Sequence, residues 1–208
     1  MRTGPDLHER RTLRDGTHVV VRHIRPSDAQ ELRRAFDRLS PESRYRRFFG
    51  GVPQLTEASL HYLTDVDGRD HVAIVATTDG PEPDGATGLG VARFVRLRDE
   101  PTVAEAAVTV VDDYQRQGLG RLLARKLAEA ARERGIHTFR ADVLADNEPM
   151  RAIMTEVGAV ERDASAGVLT YDVPLDAAQQ SPGPVDWILR AAASSMAILH
   201  RRLGPPGR

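Results

Sequence analysis

Hydrophobic and polar positions follow two different periods along this chain, and the switches between them divide it into elements. Residues 17–25 alternate, with β-branched Val19, Val21 and Ile24, and stop at Pro26, which predicts a first strand. Ser27 and Gln30 stand at capping-box spacing and open a helix whose apolar stripe is Leu32, Ala35, Phe36 and Leu39, ended by Ser40 and Pro41. Further helices are expected over 42–49 and 56–63, separated by Gly50, Gly51 and Pro53. Apolar strands follow over 72–78, 87–98 and 103–111. Their connections are too short for helical crossovers, so these three are predicted to form an antiparallel meander.

From residue 119 the period changes to 3.6, and Leu122, Leu123, Leu127 and Ala130 share one face of a long helix that runs to 134 and ends at Gly135. A strand over 138–144, a helix over 148–157 closed by Gly158, and a pair of strands over 159–163 and 168–173 complete the pattern. The fold class is α/β, a mixed, mostly antiparallel sheet of about six to seven strands flanked by helices. Residues 1–175 are read as one domain. Residues 176–184, rich in Gln, Ser, Pro and Gly, form a linker, and 185–208 a C-terminal amphipathic helix and tail. Val185, Ile188, Leu189 and Ala192 lie on one face of that helix, which is expected to pack on its own domain or on a second copy, a homodimer.

Composition narrows the function more than the fold. The 208 residues carry 29 Lys plus Arg against 30 Asp plus Glu, a formal charge of -1, so no overall basic field holds nucleic acid or an anionic membrane. The absence of cysteine excludes disulfide frameworks, thiolate metal sites and thiol nucleophiles. His71 and His137 lack metal-ligand spacing, and no metal is expected. No secretory leader and no apolar run near the ~18 residues of a membrane span is evident, so a cytoplasmic setting is expected. Basic charge concentrates in the first 50 residues, where Arg44, Arg46 and Arg47 are placed either on a solvated helix face or on a rim that meets an acidic partner.

The most informative stretch runs from Asp112 to Gly120, between a strand and a strongly periodic helix. Gly118 and Gly120 let the backbone approach an anion, and the first amides of the helix have no intrahelical partners. A G-x-G alone is equally compatible with a tight strand-to-helix turn. Because Arg121 and Leu122 follow Gly120, neither the G-x-G-x-x-G dinucleotide pattern nor the nucleotide P-loop is met.

The run Gln115, Arg116, Gln117, Gly118, Leu119, Gly120 resembles the Q/R-x-x-G-x-G/A signature of the GNAT superfamily of N-acetyltransferases, and Asp146, Asn147, Met150 and Gly158 resemble its asparagine-led helix. The resemblance covers about 17–173. In the N-terminal half, Leu13-Arg14-Asp15-Gly16, Ile24-Arg25-Pro26, Leu39-Ser40-Pro41-Glu42-Ser43 and Tyr45-Arg46-Arg47-Phe48, together with Ala104-Glu105-Ala106-Ala107-Val108, resemble bacterial protein lysine acetyltransferases that modify acyl-CoA synthetases.

The resemblance implies acetyl-CoA as cosubstrate and Glu105 as general base, acting directly or through a water. Read as an isolated residue, Glu105 is also compatible with a surface position on an alternating strand, yet it is the one charge among Ala104, Ala106, Ala107 and Val108. The family likeness further implies a bulge in this strand, with backbone around Val108, Val110 and Val111 binding the pantetheine and polarising the thioester. Gln115, Arg116, Gln117, Gly118, Leu119, Gly120 and Arg121 would hold the phosphates, and Asn147 and Met150 would lie beside the acyl-CoA. Many members place a tyrosine seven residues after the asparagine to protonate the thiolate; here that position is Met154, which has no proton to donate. Tyr45 and Tyr114 are read as packing residues. The implied acceptor is a protein lysine, in an acyl-CoA synthetase. A small amine is the alternative acceptor, and a non-catalytic acyl-CoA sensor the alternative class.

Overall fold

The computed structural model describes residues 7–48, 54–80, 85–156 and 158–175. Eight strands form one sheet: β1 (His8–Thr12), β2 (His18–His23), β3 (His71–Thr78), β4 (Gly88–Arg96), β5 (Val103–Val110), β6 (Thr138–Leu144), β7 (Val160–Ser165) and β8 (Val168–Pro174). Their order is β1-β2-β3-β4-β5-β6-β8-β7, and every neighbouring pair is antiparallel except β5 with β6. Five helices cover the faces: α1 (Ala29–Asp37), α2 (Pro41–Phe48), α3 (Glu57–Thr64), α4 (Leu119–Arg132) and α5 (Glu148–Glu156). The expected meander is β3-β4-β5, and α4 carries the predicted stripe, with Leu122, Leu123, Leu127 and Ala130 all buried.

The position of α4 is set by a close approach. A Cβ on Gly90 of β4 would stand 2.9 Å from the Thr109 carbonyl oxygen and 3.0 Å from Leu123 Cδ1, so only glycine lets the helix settle there. The same imagined Cβ meets Val110 Cγ2, which places Val110 on the α4 face. Strand alternation then puts Val108 and Ala106 on the α4 side and Glu105, Ala107 and Thr109 on the other. That other face is covered by α1 and α3 through Phe36, Leu39, Leu55, Leu60 and Leu63.

Three local readings change. The sheet has eight strands because His8–Thr12 pairs with β2. Its inward position is Glu9, 7 % exposed and 2.7 Å from Lys126 Nζ, so an ion pair takes the place of the apolar residue that would have marked the strand. Lys126, the sole lysine, is 3 % exposed and also reaches Glu129 at 3.1 Å. Second, the chain after Pro26 begins as a 3₁₀ turn over Pro26–Asp28, and α1 starts at Ala29. Asp28 does the capping: its Oδ2 accepts the Arg25 N–H at 2.7 Å while Arg22 clamps the same carboxylate with two bonds of 2.8 Å. Third, β5 has no bulge; its register with β4 runs unbroken from Ala104 to Val110. The register shifts lie instead at Leu89 of β4, opposite Ala76 and Thr77 of β3, and at Arg162 of β7. Residues 185–203, expected to be helical, lie outside the described residues.

Candidate active site

β5 and β6 pair in parallel only from Val103↔Thr138 to Glu105↔Arg140. Both strands continue, β5 to Val110 and β6 to Leu144, so they part beyond Glu105 and open a gap between them. The Val111 N–H bonds the Leu89 carbonyl at 2.9 Å and the Val103 carbonyl accepts from Leu97, which fixes the odd positions of β5 as those bonded to β4. By alternation the backbone groups of Ala106, Val108 and Val110 turn the opposite way, into the gap. A regular strand that loses its neighbour therefore presents what the expected bulge was to provide. Val111 is the exception, since its amide is committed to Leu89.

At the open end of the gap the chain makes the turn of residues 112–118. Arg116 takes φ +63° and Gly118 φ +89°. The first conformation is strained for an arginine by about 1 kcal/mol or more, and the second suits glycine alone. Gly118 is the N-cap of α4 with no side chain capping it, and the Leu122 N–H bonds the Gly118 carbonyl at 3.1 Å. The amides of Leu119 and Gly120 thus precede the helical ladder, with no acidic side chain in the first turn to compete for them. Gln115 turns inward, its Nε2 3.3 Å from the Val110 carbonyl. Gln117 is tied by its carbonyl to the Arg14 N–H at 3.5 Å. Uncapped amides at a helix start, beside strand amides turned into a gap, fit a phosphate-bearing pantetheine thioester such as acetyl-CoA.

Glu105 lies where the gap begins, half-buried on the face covered by α1 and α3. Its register mate on β6 is Arg140, which Asp172 and Glu100 hold well above its ordinary pKa, at 2.7 Å and 2.5 Å. Its mate on β4 is Val95, and Val95 is flanked in turn by His71 of β3. Val95 and His71 wall a hollow of about 360 Å³ with Tyr62, Asp67, Asp70 and Arg96. Beneath it sits Arg93, 2 % exposed, whose Nη1 is 3.0 Å from His71 Nε2 and whose Nη2 donates to the Leu63 carbonyl at 2.9 Å. Burial pulls the Arg93 pKa down to about 10, against an opposing effect of Tyr62. A guanidinium has no lone pair to offer, so in this contact His71 Nε2 stands as the acceptor. A second, apolar cavity of about 80 Å³ lies further along the same face, between α1 and Thr109.

Other predicted positions fall elsewhere. Asn147 begins α5, its carbonyl accepting from Arg151, and Met154 is fully buried in the main core, a packing residue. Met150 lies in α5, but its side chain, like those of Arg46 and Arg47, is outside the described residues. Arg44 is half-buried: it bonds the carbonyls of Leu39 and Asp37 at 3.1 Å and 2.8 Å and stands 4.7 Å over the Phe36 ring, closing the C-terminal end of α1. Tyr114 packs against the core, while Tyr45 is 52 % exposed. Among the described residues no group of three or more His, Asp or Glu could hold a metal, and no helix is long and apolar enough to cross a membrane. Arg93, and the contacts made by His71 and Asp112, escaped sequence reading, because their partners are distant in sequence.

Comparison with known proteins agrees with this geometry. The profile of the acetyltransferase (GNAT) family matches residues 30–159. The chain is 38% identical over 181 residues to Acetyltransferase Pat of Mycolicibacterium smegmatis, covering 85% of this chain and 52% of that one, and so spans about half its length. It is 35% identical over 153 residues to an acetyltransferase of Pseudomonas aeruginosa, covering 73% and 81% of the two chains. Among solved structures, the GNAT domain of S. lividans PAT superposes with a TM-score of 0.70 at 31% identity, covering 81% of this chain and 97% of that one. The chain belongs to the GNAT family of acetyltransferases, whose cosubstrate is acetyl-CoA.

Proposed function

We propose that the protein moves the acetyl group of acetyl-CoA to the side-chain amine of a lysine in a folded partner protein, an acyl-CoA synthetase, by direct transfer within a ternary complex. The observation that carries this reading is the placement of Glu105, the one charge of β5, where β5 and β6 part. Bound acetyl-CoA supplies an activated acetyl thioester. The chain must supply a neutral nucleophile, and a lysine of pKa ~10.4 is deprotonated at pH 7 at a cost of about 4.6 kcal/mol. Glu105 takes that proton, directly or through a water. The amides of Val108 and Val110 face the gap and are oriented to receive the thioester oxygen, and the amides of Leu119 and Gly120 the phosphates.

The acceptor side lies across β5. The hollow walled by Val95, Tyr62 and His71 leaves room for an extended side chain, and the carboxylates of Asp67 and Asp70 on its wall suit an incoming ammonium. Resemblance of the N-terminal half to bacterial protein lysine acetyltransferases, with 38% identity to Acetyltransferase Pat, supports a protein acceptor over a small amine. The test is competitive. Incubation with acetyl-CoA, a panel of acyl-CoA synthetases and a panel of free amines is expected to label a synthetase lysine, read by intact mass. Efficient turnover of a free amine with every synthetase unlabelled would remove the protein-acceptor reading and leave the family intact.

A further inference from the structure

Asp112 opens the turn that follows β5, and its carboxylate is used by neither proton transfer nor the helix-terminal amides. It reaches instead to a segment 72 residues earlier in the chain. Oδ2 accepts the Ser40 N–H at 3.0 Å, while Oδ1 accepts the hydroxyls of Ser40 and Ser43 at 3.1 Å and 2.8 Å. Ser40 in turn caps α2, its Oγ accepting the Ser43 N–H at 3.1 Å. On the other side, Gln115 Nε2 stands 3.4 Å from Asp112 Oδ1 and 3.3 Å from the Val110 carbonyl. Burial pushes the Asp112 pKa up, but the hydrogen bonds from Ser40 and Ser43 outweigh it and hold the carboxyl below its ordinary value, so the group is ionised at neutral pH.

We infer that Asp112 is a positioning residue that couples the two substrate sides, registering the start of α2 against the turn that leads to the phosphate-facing amides. The inference rests on the reading of that turn as the acetyl-CoA site. Two physical facts support it. The turn holds Arg116 at φ +63°, a conformation that in a non-glycine residue persists only where surrounding contacts over-determine it, and charge-assisted bonds are the stronger kind available for that. Helices α1 and α3 cover the sheet face on which Glu105 lies and α2 is tied to the end of α1 through Arg44, so a shift at α2 and a shift at the turn are carried by one carboxylate. Ordering of either side then favours the other, and the effect is reciprocal.

Amide hydrogen exchange of the full chain, with and without acetyl-CoA, tests this. In the wild type acetyl-CoA is expected to slow exchange at 116–122 and also at 42–48, the latter within the roughly 5- to 150-fold range typical of coupled sites. In Asp112→Asn, protection at 116–122 is expected to persist at saturating acetyl-CoA while protection at 42–48 is lost, and the KM for acetyl-CoA rises with kcat largely kept. Ser43→Ala, which removes one donor and keeps the backbone bond, gives an intermediate loss and serves if Asp112→Asn does not fold. Unaltered exchange at 42–48 in the wild type, or equal protection there in wild type and variants, overturns the coupling while the site reading stands. Absence of protection at 116–122 in the wild type overturns both.

Discussion

Gly118 shows how much a single backbone angle decides. At φ +89°, with no atom within 4 Å of an added Cβ, the position is open in space and closed in conformation. Gly118→Val therefore strains the turn without a steric clash, by about 1–2 kcal/mol, and acetyl-CoA affinity is expected to fall roughly tenfold or more as the amides leave their places. Calorimetry on a folded variant checks this, and unchanged affinity would move the phosphates elsewhere. Glu105 and Gly118 were readable in the sequence because each is odd in its setting, a charge in an apolar strand and a glycine before a periodic helix. Asp112 and Arg93 carry no such mark. Their partners, Ser40 and Ser43 for one and His71 and Leu63 for the other, meet them only after the sheet has formed.

Among the elements, β1 was the hardest to read and α4 the easiest, for one physical reason. Periodicity reports apolar burial, and α4 buries leucines and alanines whereas β1 buries Glu9 against Lys126. That pair ties the first strand to the helix that leads from the phosphate turn. Removing Lys126 leaves the buried Glu9 with only the part-exposed Arg11 as counter-charge, so Lys126→Met is expected to destabilise the fold, by less than the roughly 3–5 kcal/mol of a fully stranded buried charge, measured by denaturant unfolding. Combining it with Glu9→Leu is expected to restore most of the loss. Equal destabilisation by the single and double variants would mean that packing volume, and not the charge pair, holds β1 in place. The expected bulge failed at this scale as well, since the amides of Val108 and Val110 are presented by the parting of two strands and need no local irregularity.

For the whole molecule, the sheet is a frame with one fault, and the function is argued from that fault. Strands β1 to β5 form one antiparallel ladder with a register shift between β3 and β4, β6 to β8 form a second, and a short parallel contact joins them at Glu105. Removal of residues 185–208, beyond the family match at 30–159, is expected to alter oligomeric state or solubility with turnover kept; light scattering and a transfer assay decide it. The most direct measurement concerns the residue at the junction. In Glu105→Gln, acetyl-CoA should bind with wild-type affinity while transfer at pH 7 slows by the ~10² to 10⁴ of a lost general base, recovering partly as rising pH supplies neutral amine. Wild-type transfer by that variant at pH 7 would contradict the account.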